Sequence, residues 1–393
     1  MVVDESPVHR SHARSGVVKP ALTAVLLIIA SSCAAIFNED PVVDASATSI
    51  AILNVNVVPM DRERVIQSQT VLIDNGRITA IGPSESTNPP TGALRINGKG
   101  KYLLPGLIDM HVHIRSSELE AYLRGGVTSV RNMWGHTELL SIMQEIESKT
   151  RRGPRIFSLS SGFDASPNQS PEAQISDNPA AIRALIDRQY DLGYREIKVF
   201  QKLSLAAYDT IAAIAKLKGM TFAGHTPPQV GLTRVIQSGQ RSIEHLGGYG
   251  GGSQLSAQVA ATVQAGAYNC PTLAVITMLF SPATAAYART ITGALHAGGA
   301  RLLVGTDSGV DLTLPGSSIH DELEAFVQSG ISPFDALLGA TRTAAEYLGQ
   351  SAAIGTIEVG KEADLVLVRA NPLQNIGATR DIDAVIVDGR LFN

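Results

Sequence analysis

Pro105-Gly106-Leu107-Ile108-Asp109-Met110-His111-Val112-His113 is the stretch on which the reading of this chain turns. Its apolar run has the look of a buried strand, and it closes on two histidines one residue apart. Side-chain direction alternates along a strand, so both imidazoles face the same side. Two neutral nitrogen ligands on one face suit zinc and related cations. A solitary His-x-His pair also occurs at ordinary surface or core positions. Its meaning depends on what the rest of the chain sets beside it.

Four further runs end in polar groups of the same chemistry. Glu196-Ile197-Lys198-Val199-Phe200 carries a lysine inside an apolar strand, where desolvation lowers an amine pKa toward the neutral form. Phe222-Ala223-Gly224-His225, Ser242-Ile243-Glu244-His245 and Leu303-Val304-Gly305-Thr306-Asp307 each close on a potential ligand. Between them, Ser204 can cap a helix whose Tyr208, Ile211, Ile214 and Leu217 follow helical spacing, and Gly219 stops it. A short helix over 230–236 follows the Pro227-Pro228 break. Strand, helix, strand, helix, strand is the pattern of a parallel α/β sheet. Eight strands are predicted at 106–113, 127–131, 155–159, 195–200, 220–225, 241–245, 267–273 and 301–306. The fold class is therefore α/β, a (β/α)8 TIM barrel, whose chemistry belongs at the strand C-termini where these groups sit.

The series resembles the amidohydrolase superfamily, in its binuclear-metal subtype with a carboxylated lysine, over residues 48–393. The imidazolonepropionase-like and prolidase-like branch is the nearer resemblance. It rests on the 105–113 run, Gly125-Gly126-Val127-Thr128-Ser129-Val130-Arg131, Gly224-His225-Thr226-Pro227, Gly305-Thr306-Asp307 and Gly360-Lys361-Glu362-Ala363-Asp364-Leu365-Val366. One departure is Asn132, where many relatives carry an aspartate. The resemblance implies two divalent ions, zinc first, with manganese, cobalt or iron(II) as alternatives. His111, His113 and Asp307 would hold one and His225 and His245 the other, with Lys198 bridging as a carbamate. Asp307 would also be the catalytic proton carrier.

The flanks read as a second module. Ala51–Val58, Thr70–Ile73 and Arg77–Gly82 are strand-like, with Asp74-Asn75-Gly76 as a hairpin turn, and 364–368 and 384–390 supply two strands from the other end. The expected domains are a β-sandwich built from 48–105 and 351–393, around a barrel at 106–350. The 393 residues suit that pairing. A net charge of −4 gives no basic surface for nucleic acid. The loop segment Ser166-Pro167-Asn168-Gln169-Ser170-Pro171 reads first as an ordinary solvated loop, with a mobile rim over the site as the alternative.

The N-terminus has its own logic. Arg10, Arg14 and Lys19 precede a largely apolar run from Ala21 to Ala30, followed by Ser31-Ser32-Cys33. That is a secretory leader at 1–33, with a tether at 34–47. The small residues before Cys33 resemble a bacterial lipoprotein cleavage box, which makes Cys33 a candidate lipid anchor. The protein is expected to be exported, periplasmic or membrane-anchored. Cys270 then lacks a disulfide partner and reads as a buried structural thiol.

The substrate expected is a small-molecule amide or cyclic amide, an N-acyl amino acid or a proline-like dipeptide among them. A lactone or phosphoester on the same site is the second reading, and a non-catalytic binding protein with this fold the third. Four residues are candidates for substrate contacts: Arg131 for a carboxylate, and His136, Tyr249 and His320 for an oxyanion or polar group. Each has an ordinary alternative, as a barrel salt bridge, a packing residue or a helix cap. Glu244 is expected to point away from the metals by strand alternation. Oligomeric state is left open by the sequence.

Overall fold

The computed structural model describes residues 49–168, 172–309 and 313–392, all within the unit Ala45–Asn393. The leader, the tether and Cys33 lie outside the described residues, as do residues 169–171 of the loop after the third strand. Eight parallel strands follow the predicted order: Leu107–Val112, Val127–Asn132, Arg155–Ser158, Glu196–Val199, Thr221–Gly224, Ser242–Glu244, Tyr268–Cys270 and Arg301–Leu302. The first three form one sheet; the other five form a second together with the short strands Phe163–Asp164 and Gln174–Ile175. Backbone hydrogen bonds cross both seams. Ser160 N donates to Glu196 O at 2.8 Å on one side, and Asp307 N to His111 O at 2.8 Å on the other.

The last strand departs most from expectation, since regular pairing ends at Leu302. Beyond it the chain runs tight against its neighbours. A Cβ on Gly305 would lie 2.4 Å from Cys270 Sγ and 2.8 Å from His111 Cβ, so only glycine admits that approach.

The helix Leu205–Lys218 shows how local sequence builds the outer layer. Ser204 Oγ accepts from Ala207 N, and Gly219 takes the left-handed conformation that ends the helix. Tyr208, Ile211 and Ile214 are buried against the sheet, each worth about 1.5–3 kcal/mol of apolar burial for a side chain of their size. Leu217, expected on the same stripe, is 75% exposed. Nine residues beyond Tyr208 it stands half a turn away, on the opposite face. The short helix anticipated at 230–236 is present as Gly231–Gln237.

The two flanks meet in one eight-stranded sheet. Tyr102–Pro105 pairs in parallel with Ser49–Val57 on one edge and antiparallel with Leu365–Val368 on the other. The N- and C-terminal strands are thus bonded together through Tyr102–Pro105, which uses both of its edges. Ile52, Val71, Leu103, Leu365 and Ile386 pack in one apolar cluster beneath it. The hairpin turn is as read, with Asn75 and Gly76 both at positive φ.

Candidate metal-dependent active site

At the C-terminal ends of the strands, the structure brings His111, His113, Lys198, His225, His245 and Asp307 together. His113 Nε2 lies 2.8 Å and His111 Nε2 3.3 Å from the same oxygen, Asp307 Oδ1. The ring centroids of His111 and His245 are 4.6 Å apart, and those of His245 and His225 4.7 Å. Alternation places His111 and His113, as expected. His245 and Asp307 arrive differently: both sit just past their strands at positive φ, 58° and 59°. Non-glycine residues rarely adopt that conformation, and here it turns both side chains into the site.

Three of the imidazoles have their tautomer set by a partner. Nδ1 of His111 donates to Glu244 Oε2 at 2.7 Å. Nδ1 of His225 donates to the Val199 carbonyl at 3.4 Å. Nδ1 of His245 donates to Thr272 Oγ1 at 2.8 Å, whose own hydroxyl proton goes to Pro271 O. Each ring thus keeps Nε2 as a lone pair, the arrangement by which protein groups orient metal-binding histidines. His111 Nε2, His113 Nδ1, Lys198 Nζ and Asp307 Oδ1 are buried without an aligned hydrogen bond. Buried polar atoms are rarely left so, and nitrogen and carboxylate ligands of this kind suit a cation. His111, His113 and Asp307 offer ligand atoms all within 4.8 Å of one another.

Electrostatics agree with this donor set. Burial, and then the nearby Lys198 charge, hold His111 and His225 well below the ordinary imidazole range. Burial also lowers His113 and His245. Asp307 feels burial as an upward push, but His111, His245 and His113 outweigh it and keep the carboxyl well below its usual range. Burial brings the Lys198 amine down to about 8, against the pull of Glu244 and Asp307. Neutral rings, an ionised carboxylate and a readily neutral amine are the forms that bind a divalent ion or add to carbon dioxide.

Glu244 corrects the expectation from alternation. Because the strand ends at Glu244 and His245 then takes a left-handed turn, the two neighbours both face inward. Glu244 Oε1 accepts from Arg131 Nη2 at 2.8 Å while Oε2 holds His111, and Ser242 Oγ also donates to Oε1. Burial would raise this carboxyl, but Arg131 and then Lys198 lower it. No motif pointed to it; two inward positions on one strand, Ser242 and Glu244, were the available signal.

The four candidate substrate contacts are held elsewhere. Arg131 is fully buried and spends its guanidinium on Met110 O, Ser242 Oγ and Glu244, which makes it an internal clamp. His136 caps the helix Thr137–Glu147 by accepting from Leu139 N. Tyr249 bonds Thr262 and Asn269 through its hydroxyl, at 2.8 Å each. His320 bonds Thr379 Oγ1 at 2.9 Å, and burial lowers it to about 4. Asn132 is likewise committed, accepting from Ile114 N and donating to Trp134 O and Ser158 Oγ, so it braces strand ends. Cys270 is free and buried, with burial pushing its thiol well up.

A cavity of about 310 Å³ opens over the site. Its floor is His113, His225, His245 and Asp307, and its walls are Trp134, Phe200, Asp164, Pro167, Asn168, Gln201 and Lys202. Trp134 sits 4.0 Å from the His113 ring and Phe200 stacks on His225 at 5.2 Å. Pro167 and Asn168 belong to the polar 166–171 segment singled out in the sequence; the other wall residues carried no sequence signal. They come from loops whose spatial neighbourhood the sequence does not state.

The chain belongs to the amidohydrolase family, which its residues 102–392 match. It is 24% identical over 399 residues to the imidazolonepropionase of Haloarcula marismortui, covering 84% of this chain and 91% of that one. A 40% identical stretch of 83 residues is shared with adenine deaminase 2 of Shouchella clausii, but it spans 20% of this chain and 14% of that protein. A similarly short match, to a dihydroorotase of Trichlorobacter lovleyi, covers 16% of that protein. Among solved structures, a Xaa-Pro dipeptidase with bound methionine superposes with a TM-score of 0.74 at 22% identity, covering 88% of this chain and all of the other. The Aspergillus-type ochratoxinase named for A. niger gives 0.72 at 19%, covering 88% and 96%. At those identities the likeness is one of fold.

Proposed function

We propose that the protein is a metal-dependent hydrolase of a small-molecule amide or cyclic amide, working at the C-terminal face of a (β/α)8 barrel formed by the two parallel arcs. The observation that carries this reading is the set of Nε2 lone pairs on His111, His225 and His245, each fixed by a partner on Nδ1. His111, His113 and Asp307 would hold one divalent ion and His225 and His245 a second. Lys198, neutral in part near pH 8, would add to carbon dioxide, losing a proton and gaining a carboxylate that reaches both. Bound there, such ions supply Lewis acidity and lower the pKa of a water molecule.

The residues of the chain do the rest. Asp307 stays ionised at neutral pH, so its carboxylate accepts the proton of the attacking water and returns it to the leaving nitrogen. Glu244 keeps the His111 ring in one orientation, and Thr272 does the same for His245. Trp134 and Phe200 give the cavity apolar walls that exclude bulk water from one side. Elemental analysis of dialysed protein tests the metal assignment, with close to two divalent ions per chain expected. A panel of N-acyl amino acids, dipeptides, lactones and phosphotriesters on metal-loaded protein tests the reaction. Turnover confined to the lactones or phosphotriesters would replace the amide reading.

The leader at 1–33 supports export, with Cys33 as a lipid anchor in the periplasm or at its membrane. This part of the reading rests on the sequence alone.

A further inference from the structure

We propose that Lys202 is the residue that selects substrates carrying a carboxylate beside the scissile amide. The inference rests on the hydrolase reading above and deepens it, since it names the substrate class of the same cavity. Lys202 is the one Lys or Arg among the described residues lining the cavity. Lys202 is exposed, and its ammonium has no ion-pair or hydrogen-bond partner among the described residues.

The backbone that carries Lys202 is held in place. Lys202 N donates to Asp164 Oδ1 at 2.9 Å, and Phe200 N to Phe163 O at 3.0 Å. On the other side Leu203 is fully buried, and Ser204 donates both N and Oγ to Asp177 Oδ1, at 3.0 and 2.7 Å. A surface lysine on a mobile loop would lose much of its pairing energy to ordering, whereas here the backbone is already ordered.

The remaining charges leave the role to Lys202. The buried Asp164 carboxylate is occupied by Ala165 N, Lys202 N and Asn168 Nδ2. On the floor, Asp307 faces His111 and His113. A ligand with its reacting carbonyl over the floor therefore meets apolar faces at Trp134 and Phe200 and one unpaired cation at Lys202. A carboxylate is the group that a solitary ammonium beside half-buried aromatic walls recognises best. Arg131, to which sequence reading assigned this contact, is buried and spent.

The test compares N-acetyl-L-leucine with N-acetyl-L-leucinamide, following acetate release by metal-loaded wild type, Lys202→Gln and Lys202→Arg. The wild type should prefer the carboxylate by roughly tenfold or more in kcat/KM, as expected for one charge-assisted contact. In Lys202→Gln that ratio should collapse toward one, mostly through KM, and Lys202→Arg should restore a large part of it. Calorimetric titration of the same two compounds gives a readout that does not need turnover. There the glutamine variant should weaken binding of the carboxylate about tenfold relative to the amide. An equal carboxylate-to-amide ratio in wild type and Lys202→Gln, by rate or by binding, would overturn the assignment. Loss of all turnover with the binding preference intact would instead strike at the hydrolase reading and leave Lys202 in its role.

Discussion

Glu244 Oε2 lies 2.7 Å from His111 Nδ1, although the two residues are 133 positions apart and Glu244 directly precedes another histidine of the same site. One carboxylate thus joins the first and sixth parallel strands, holds Arg131 with its other oxygen and orients a candidate metal ligand. Glu244→Gln should weaken metal binding about 10- to 100-fold, the usual effect of losing such an outer partner. Chelator competition reads it directly. The variant should also lose roughly 3–5 kcal/mol of stability, because Arg131 would be left buried with its charge unpaired. Unchanged metal affinity would reduce Glu244 to a partner of Arg131 alone.

Lys198→Ala should lower metal occupancy and cut the rate by at least about two to three orders of magnitude, since a shared anionic ligand goes with it. Short carboxylic acids added to the variant should recover part of both, and Lys198→Glu a smaller part. Full activity with two ions bound would make Lys198 a spectator buried in its strand.

Asp307→Asn separates metal binding from proton transfer. The amide oxygen still coordinates, so metal content should fall little, while the rate drops by about two orders of magnitude or more. Parallel loss of metal and rate would show that Asp307 matters as a ligand and not as a proton carrier.

Glu322 offers a test of stability against pH away from the metal ligands. It is fully buried, accepts from Ala274 N at 2.6 Å, and burial raises it to about 8. The folded state therefore holds a proton that the unfolded state releases near the ordinary carboxyl value. With more protons bound when folded, stability falls as pH rises from about 4.5 to 8, and no further above that. The slope reaches at most about 1.4 kcal/mol per pH unit, the value for one proton. Thermal melts of Glu322→Gln should show a shallower decline across that window than the wild type. Parallel profiles would mean Glu322 ionises without cost.

Export is checked by fractionating cells that express the full chain. Cys33→Ser should move the protein from the membrane to the soluble fraction if the cysteine carries lipid. An uncut chain recovered in the cytoplasm would count against both secretion and anchoring.

The sequence by itself determined the parallel α/β order, the helix after Ser204 and the list of groups at the strand ends. These are local matters: period-two alternation set His111 and His113 on one face, and capping residues marked helix boundaries. Leu217 shows where local reasoning overreaches, since its spacing looked helical but its angle put it in solvent. Arg131, His136, Tyr249 and His320 went the same way for another reason. A polar side chain near a predicted site is free to act only if no neighbour claims it. Arg131, Tyr249 and His320 had partners brought in from elsewhere in the chain, and His136 was claimed by its own helix cap.

Tertiary structure alone decided the rest. It turned Glu244 and His245 to the same side through a left-handed residue, joined the two flanks in one sheet, and set Lys202 beside Trp134 and Phe200. Strand periodicity cannot carry such information, because it ends where the strand ends. The chemistry of this fold begins one residue later, in loops whose partners are fixed by packing between strands far apart in the chain.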